Sequence, residues 1–177
     1  FANLFVETEW HAWCTAITAS RRPRAASEPR LWCAHVVDNE HERLGDVTWE
    51  TDRARFIGRG RTTRDPAALD REAALSCTTG AVLDPMFAIR TCVRLQPGES
   101  ASIAFTTLVA ETREQLFELT GRYHDPHSAQ RALDLAWTSA QVELRELGIT
   151  PADAALFQDL AGHLFYSTAA VRAPQEE

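Results

Sequence analysis

The residues best suited to chemistry crowd into one stretch, Val47-Thr48-Trp49-Glu50-Thr51-Asp52-Arg53-Ala54-Arg55-Phe56-Ile57-Gly58-Arg59-Gly60-Arg61. Strand packing alone does not require acids, arginines, an aromatic and two glycines together. The guanidinium groups of Arg53, Arg55 and Arg59 can grip carboxylates, phosphates or sugar hydroxyls in a fixed geometry. Asp52 adds an acceptor, and Trp49 and Phe56 add flat apolar faces. A second pair of acids, Glu7 and Glu9, stands two residues apart, so in a strand both point to one face. Paired carboxylates can perform acid and base work in glycoside cleavage. Two neighbours on one strand face do not flank a bond, so a solvated or bracing pair is the plainer reading and substrate contact the sharper one.

Other reactive residues are scattered. Cys14, Cys33, Cys77 and Cys92 have no metal or redox spacing and are expected to be small buried hydrophobes in a reducing compartment. His35 lies alone in a strand-like run, as a packed or hydrogen-bonded histidine. His124, Asp125 and His127 cluster where a helix should start, with Asp125 as its cap. The chain shows no nucleophile elbow, zinc signature, phosphate-binding loop or dinucleotide fingerprint, so neither a cofactor nor a metal is expected.

With 177 residues, 45% of them hydrophobic and 24% charged, the chain can bury a sizeable core. A net charge of −7 argues against a general nucleic-acid binder. No apolar run approaches the roughly 20 residues that span a bilayer, so no membrane contact is expected of this segment. All 18 basic residues are arginine, which coding bias explains more simply than selection at each site.

The elements that must position these residues change character once. Trp13–Ser20, Leu31–Val37 and Val47–Glu50 read as short strands, with Val47–Arg61 opening into a loop. Residues 62–74 read as a long surface connection, and Ser76–Pro85 as a tight loop in which Gly80 lets another surface approach closely. Phe87–Leu95 and Ile103–Val109 alternate around Gln96-Pro97-Gly98-Glu99 and read as a hairpin. The period then shifts to that of helices. Thr112 with Gln115, Asp125 before Pro126, and Thr150 before Pro151 mark three helix starts. The third helix carries a broad apolar face. The fold class expected is mainly β with C-terminal helices: a partial antiparallel β-sandwich over 1–110, followed by linker α-helices over 111–177.

Taken in order, Phe5-Val6-Glu7-Thr8-Glu9, Arg21-Arg22-Pro23-Arg24, Glu50 to Arg61, Thr79 to Pro85 and Gln141-Val142-Glu143-Leu144 resemble the sandwich and linker region of the glycoside hydrolase family 94 module, as it occurs in cyclic β-1,2-glucan synthases and related β-glucoside phosphorylases. The resemblance runs over nearly the whole chain. In that family a supersandwich-like domain and linker helices precede an α/α barrel, whose aspartate acts as general acid while phosphate attacks a β-glucosidic bond. The resemblance therefore implies a segment without the barrel, the catalytic aspartate or the front of the sandwich, and so inactive alone.

By the same resemblance the expected partners are a β-glucan oligosaccharide, the barrel of the parent protein and a second copy in a homodimer. The expected location is cytoplasmic, with the parent anchored at the inner membrane. Glu7, Glu9, Trp49, Asp52, Arg53, Arg55, Phe56 and Arg59 are then the substrate-binding candidates, with Trp49 or Phe56 stacking on a pyranose. Two other classes compete with this reading. One is a ligand-free docking segment whose arginines form an ion-pair network. The other is a self-sufficient hydrolase that pairs Glu7 or Glu9 with Asp52.

Overall fold

The computed structural model describes residues 5–70 and 74–166. Its contacts fall into two compact units, Phe1–Gln130 and Arg131–Glu177. The first unit carries seven described strands: β1 (Val6–His11), β2 (Ala16–Arg21), β3 (Trp32–Asn39), β4 (Thr48–Asp52), β5 (Gly80–Val82), β6 (Pro85–Arg90) and β7 (Ile103–Ala110). They form a five-stranded sheet in the order β5-β1-β2-β3-β7 and a two-stranded sheet of β4 and β6. All ladders are antiparallel.

Alternation along β1 sends successive residues to opposite sides of the larger sheet. Thr8 and Trp10 turn toward β4, where Thr8 Oγ1 donates to Thr51 Oγ1 at 3.2 Å and Trp10 stacks on Trp49. In register with Trp10 lie Ile17 and His35, and His35 stacks on Phe87 of β6. These contacts join the two sheets as a sandwich. On the other side, α2 (Arg113–Tyr123) packs on β3 and β7. Leu116 is fully buried there with Cys14, Ala16, Ala34, Val36 and Leu108, while Leu119 and Tyr123 flank the cluster. Burying a leucine of this kind contributes about 1.5–3 kcal/mol. Thr112 Oγ1 accepts from the Gln115 backbone N–H at 3.2 Å, which starts α2 as its sequence predicts.

Most of the helical remainder lies in the second unit: α3 (Pro126–Leu147) and α4 (Pro151–Phe165). Gly148, at φ +67, ends α3 with its own N–H on the Arg145 carbonyl and that of Ile149 on Leu144. Thr150 and Asp153 form a reciprocal capping box for α4. Among the described residues, no helix is long and apolar enough to cross a membrane.

Four local expectations need correction. The runs on either side of Gln96–Glu99 do not pair with each other. Alternation decides which face a residue takes but not which strand it meets. The turn itself forms, with Glu99 N–H on the Gln96 carbonyl at 3.0 Å. Residues 103–110 then take an eight-residue register along β3, while β6 pairs with β4, and an isolated Arg43 to Val93 bridge lies beyond that ladder.

The strand expected over Trp13–Ser20 starts later, at Ala16, because Ala12–Cys14 form a 3-10 turn closed by Thr15 at φ +48. Gly80 is set by conformation and not by close approach: its φ is +114, and a Cβ there would meet nothing within 4 Å. Cys14 is buried and Cys33 half-buried, but Cys77 and Cys92 are exposed. Burial pushes the Cys14 thiol up to about 11 and raises that of Cys33, so neither is a nucleophile.

Candidate functional site

The Val47–Arg61 edge is built around a carboxylate that its sequence did not single out. Glu50 is 2% exposed. Its Oε1 accepts from the backbone N–H of Thr51 at 2.9 Å and of Asp52 at 3.0 Å, and from Thr78 Oγ1 at 3.4 Å. Oε2 accepts from Ser76 Oγ. A buried carboxylate is tolerable only when its oxygens are supplied with donors, and here two strand amides and two hydroxyls supply them. The ladder to β6 shifts register between Glu50 and Asp52, which turns both amides onto the one carboxylate.

Where a loop was expected, a five-residue helix follows, α1 (Arg53–Ile57). Asp52 is its N-cap and accepts from the Ala54 N–H at 2.8 Å. Arg55 lies 3.8 Å from Asp52 and donates to Thr78 Oγ1 at 3.5 Å. Arg53 is exposed, its backbone N–H bound to the Asp84 carbonyl at 3.0 Å. Gly58 ends the helix at φ +83, with Ala67 so close that a Cβ would come within 2.7 Å of the alanine's own. Arg90 anchors the neighbouring Ala67–Leu69 turn by donating to the Ala68 carbonyl. Between these pieces lies an open depression of about 410 Å³ lined by Glu50, Arg55, Phe56, Ala68, Leu75 and Ser76.

The eight predicted site residues divide between two surfaces. Arg55 and Phe56 line the depression, Asp52 caps α1 and lies 3.8 Å from Arg55, Arg53 and Arg59 are exposed on the same segment, and Trp49 has one ring face covered by Trp10. Glu7 and Glu9 project from the other side of the five-stranded sheet. Glu9 Oε2 accepts there from Arg113 Nη2 at 2.8 Å and sits 3.5 Å from His11 Nε2. The pairing of Glu7 or Glu9 with Asp52 that a self-contained hydrolase needs is therefore absent: a sheet separates them.

Burial, opposed by Glu9 and assisted by Arg113, lowers the His11 pKa, so the ring is neutral at pH 7. Its Nε2 shares a hydrogen bond with Thr18 Oγ1 at 2.9 Å. Asp125 caps α3 as expected by accepting from the His127 N–H at 3.1 Å, while His124 lies 3.4 Å from Asp38. Among the described residues, no three His, Cys, Asp or Glu side chains converge as a metal site.

Residues 1–126 match the family model described as the glycosyl hydrolase 94 supersandwich domain. The chain belongs to this family. It is also 38% identical, over 176 residues, to the cyclic beta-(1,2)-glucan synthase NdvB of Rhizobium meliloti (strain 1021), an alignment that covers 99% of this chain and 6% of that protein. The chain thus spans a small fraction of the synthase's length.

In this supersandwich domain, the strands and α2 supply a rigid frame and the β4–α1 edge supplies polar groups. Glu50 was missed because its partners, Ser76 and Thr78, lie 26 and 28 positions away. Arg113 was missed for a similar reason, since 104 positions separate it from Glu9. A possible signal for Glu50 was its place between strand residues on a short β run, where an acid on the inward face has to find donors. For a ligand the edge offers the exposed Arg55 guanidinium as donor, Asp52 as acceptor and Phe56 as an apolar face, over a Glu50–Ser76 pair that is already satisfied internally.

Proposed function

We propose that this chain is a non-catalytic carbohydrate-binding and scaffolding segment of a β-glucan synthase or β-glucoside phosphorylase. The observation that carries the reading is the depression beside α1, where Arg55, Phe56 and Ser76 surround the anchored Glu50 carboxylate. Neutral polyols are held by such a mixture of directional polar groups and an apolar wall. The name of the glucan synthase relative supports β-1,2-linked glucose as the sugar. In this reading Asp52, Arg53, Arg55, Phe56 and Arg59 shape the sugar cleft, the strands of 1–110 form the sandwich, and the helices of 111–177 lead toward a barrel. The parent works in the cytoplasm, and a second copy pairs through the sandwich or helices.

The test is a titration of the chain with a linear β-1,2-gluco-oligosaccharide, followed by amide chemical shifts. Saturable shifts at Arg53–Arg59 and Ser76 are expected, and they weaken in Arg55→Ala. Unmoved amides at millimolar sugar would remove the proposal.

A second reading, docking without a ligand, has its own support. Arg61 Nη1 contacts Asp70 at 2.7 Å and Asp65 at 3.9 Å, so part of the arginine-rich segment already satisfies itself internally. In that case sugar leaves the spectrum unchanged, and charge reversal at Arg53 and Arg59 weakens association with the remainder of the parent protein.

A further inference from the structure

The α2 side of the five-stranded sheet carries a row of planar groups that the edge at Val47–Arg61 does not use. Trp13 is 61% exposed, on a turn fixed from three directions. Its neighbour Cys14 is fully buried, the Val37 N–H donates to the Thr15 carbonyl at 3.1 Å, and Arg43 Nη1 donates to Thr15 Oγ1 at 3.3 Å. Phe117 of α2 stands 6.0 Å from the Trp13 ring and meets His11 edge-on at 5.0 Å. The Arg113 guanidinium lies 4.8 Å over the Phe117 ring while it donates to Glu9. Trp13, Phe117, Arg113 and Glu9 therefore form a continuous strip supplied by a turn, a helix and a strand.

We propose that this strip is a second carbohydrate-contact surface, taking a neutral β-linked gluco-oligosaccharide with one pyranose against Trp13 and the next ring's hydroxyls on Arg113 and Glu9. The inference rests on the reading of the chain as carbohydrate-binding, and it places a contact on the opposite side of the sheet from α1.

Three features select this ligand class. The cation and the anion of the strip already neutralise each other, which suits an uncharged partner better than a phosphate or an acidic peptide. The exposed apolar part of the strip is a flat ring, Trp13, flanked by a charged pair, the mixture of apolar face and directional polar groups that suits a polyol. Arg113 is also held in advance by Glu9 and Phe117, so little side-chain freedom is lost when hydroxyls bind. Glu9 engages both of its partners through Oε2, which leaves Oε1 to accept from a sugar.

The same β-1,2-gluco-oligosaccharide titration tests the strip separately from the edge. The Trp13 indole N–H and the amides of Trp13, Arg113 and Phe117 are expected to shift saturably. Trp13→Ala should weaken the affinity read at these signals about tenfold, on the order of 1.4 kcal/mol, while Trp13→Phe, which keeps a flat ring, retains most of it. An unchanged far-UV spectrum confirms that each variant is folded. Shifts confined to Arg53–Arg59 and Ser76 would overturn this proposal and leave the edge reading standing. Shifts at the strip alone would do the reverse. Equal affinity in Trp13→Ala and the parent chain would also overturn it, as would no shift at either surface.

Discussion

Trp10 and Trp49 lie face to face across the two sheets, with ring centroids 4.1 Å apart and planes 8° from parallel. The stack joins β1 to β4 but leaves the Trp49 Nε1–H buried without an acceptor among the described residues. A buried donor without a partner costs about 1–3 kcal/mol. Trp49→Phe keeps an aromatic face and removes that donor, so its urea midpoint should equal or exceed that of the parent chain. Trp49→Ala should lose about 3 kcal/mol. A Trp49→Phe variant as unstable as Trp49→Ala would mean that the indole finds a partner.

Glu50 joins β4 to the 76–78 segment, so its replacement should be felt in both. Glu50→Ala removes the acceptor of two backbone amides and two hydroxyls, with an expected loss of about 2–4 kcal/mol. Hydrogen exchange at Thr51 and Asp52 should accelerate more than at β2. Protection that falls uniformly across the sheets would show that the carboxylate is not a local anchor.

His35 gives the fold a pH dependence of known sign. Its ring stacks between Phe87 and Phe105, and its Nδ1 shares a hydrogen bond with Thr107 Oγ1 at 2.9 Å. Burial lowers its pKa from the ordinary 6.5. The unfolded chain then takes up the proton first, so stability present above pH 6.5 is lost as pH falls from there toward the lower folded value. Urea midpoints should drop between about pH 7.5 and pH 5.5. His35→Phe should flatten this slope without abolishing it, because burial shifts His11 in the same direction.

Gly58 and Gly60 both have positive φ, +83 and +75, but only Gly58 is also crowded, by Ala67. Its ψ of 155 belongs to a region that side chains avoid, at a cost of about 1–3 kcal/mol. Gly58→Ala should therefore lower the thermal midpoint clearly more than Gly60→Ala. Equal effects would show that Ala67 moves aside freely.

The helical unit should make the chain self-associate. Leu164 and Phe165 are 86% and 83% exposed, and Leu156, Phe157 and Leu160 are each more than half exposed on the same helix. Light scattering should show a mass that rises with concentration, and Leu160→Glu with Leu164→Glu should suppress the rise. A concentration-independent monomer would contradict this.

Local signals made much of the fold legible. Thr112, Asp125 and Thr150 cap their helices as their sequence patterns predict, because a cap is decided within four residues. Strand partnership is decided at longer range, and β6 and β7 alternate equally well in two separate sheets or in one hairpin. The site divides the same way. The crowding of Asp52, Arg55 and Phe56 was visible in their sequence, whereas Glu50 with Ser76 and Glu9 with Arg113 meet only through folding. The α1 helix was hidden by its length, since five residues hold too little of the helical period to show.

The alternation of β1 has a consequence for tolerated change in length. Glu9 belongs to the strip with Arg113, and Trp10, the next residue, belongs to the stack with Trp49. Deleting or inserting a single residue in 6–11 would present a carboxylate to the inter-sheet space and an indole to Arg113, which disables both surfaces at once. Losing or gaining two residues would preserve the facing. Length variation within this strand should therefore survive in steps of two.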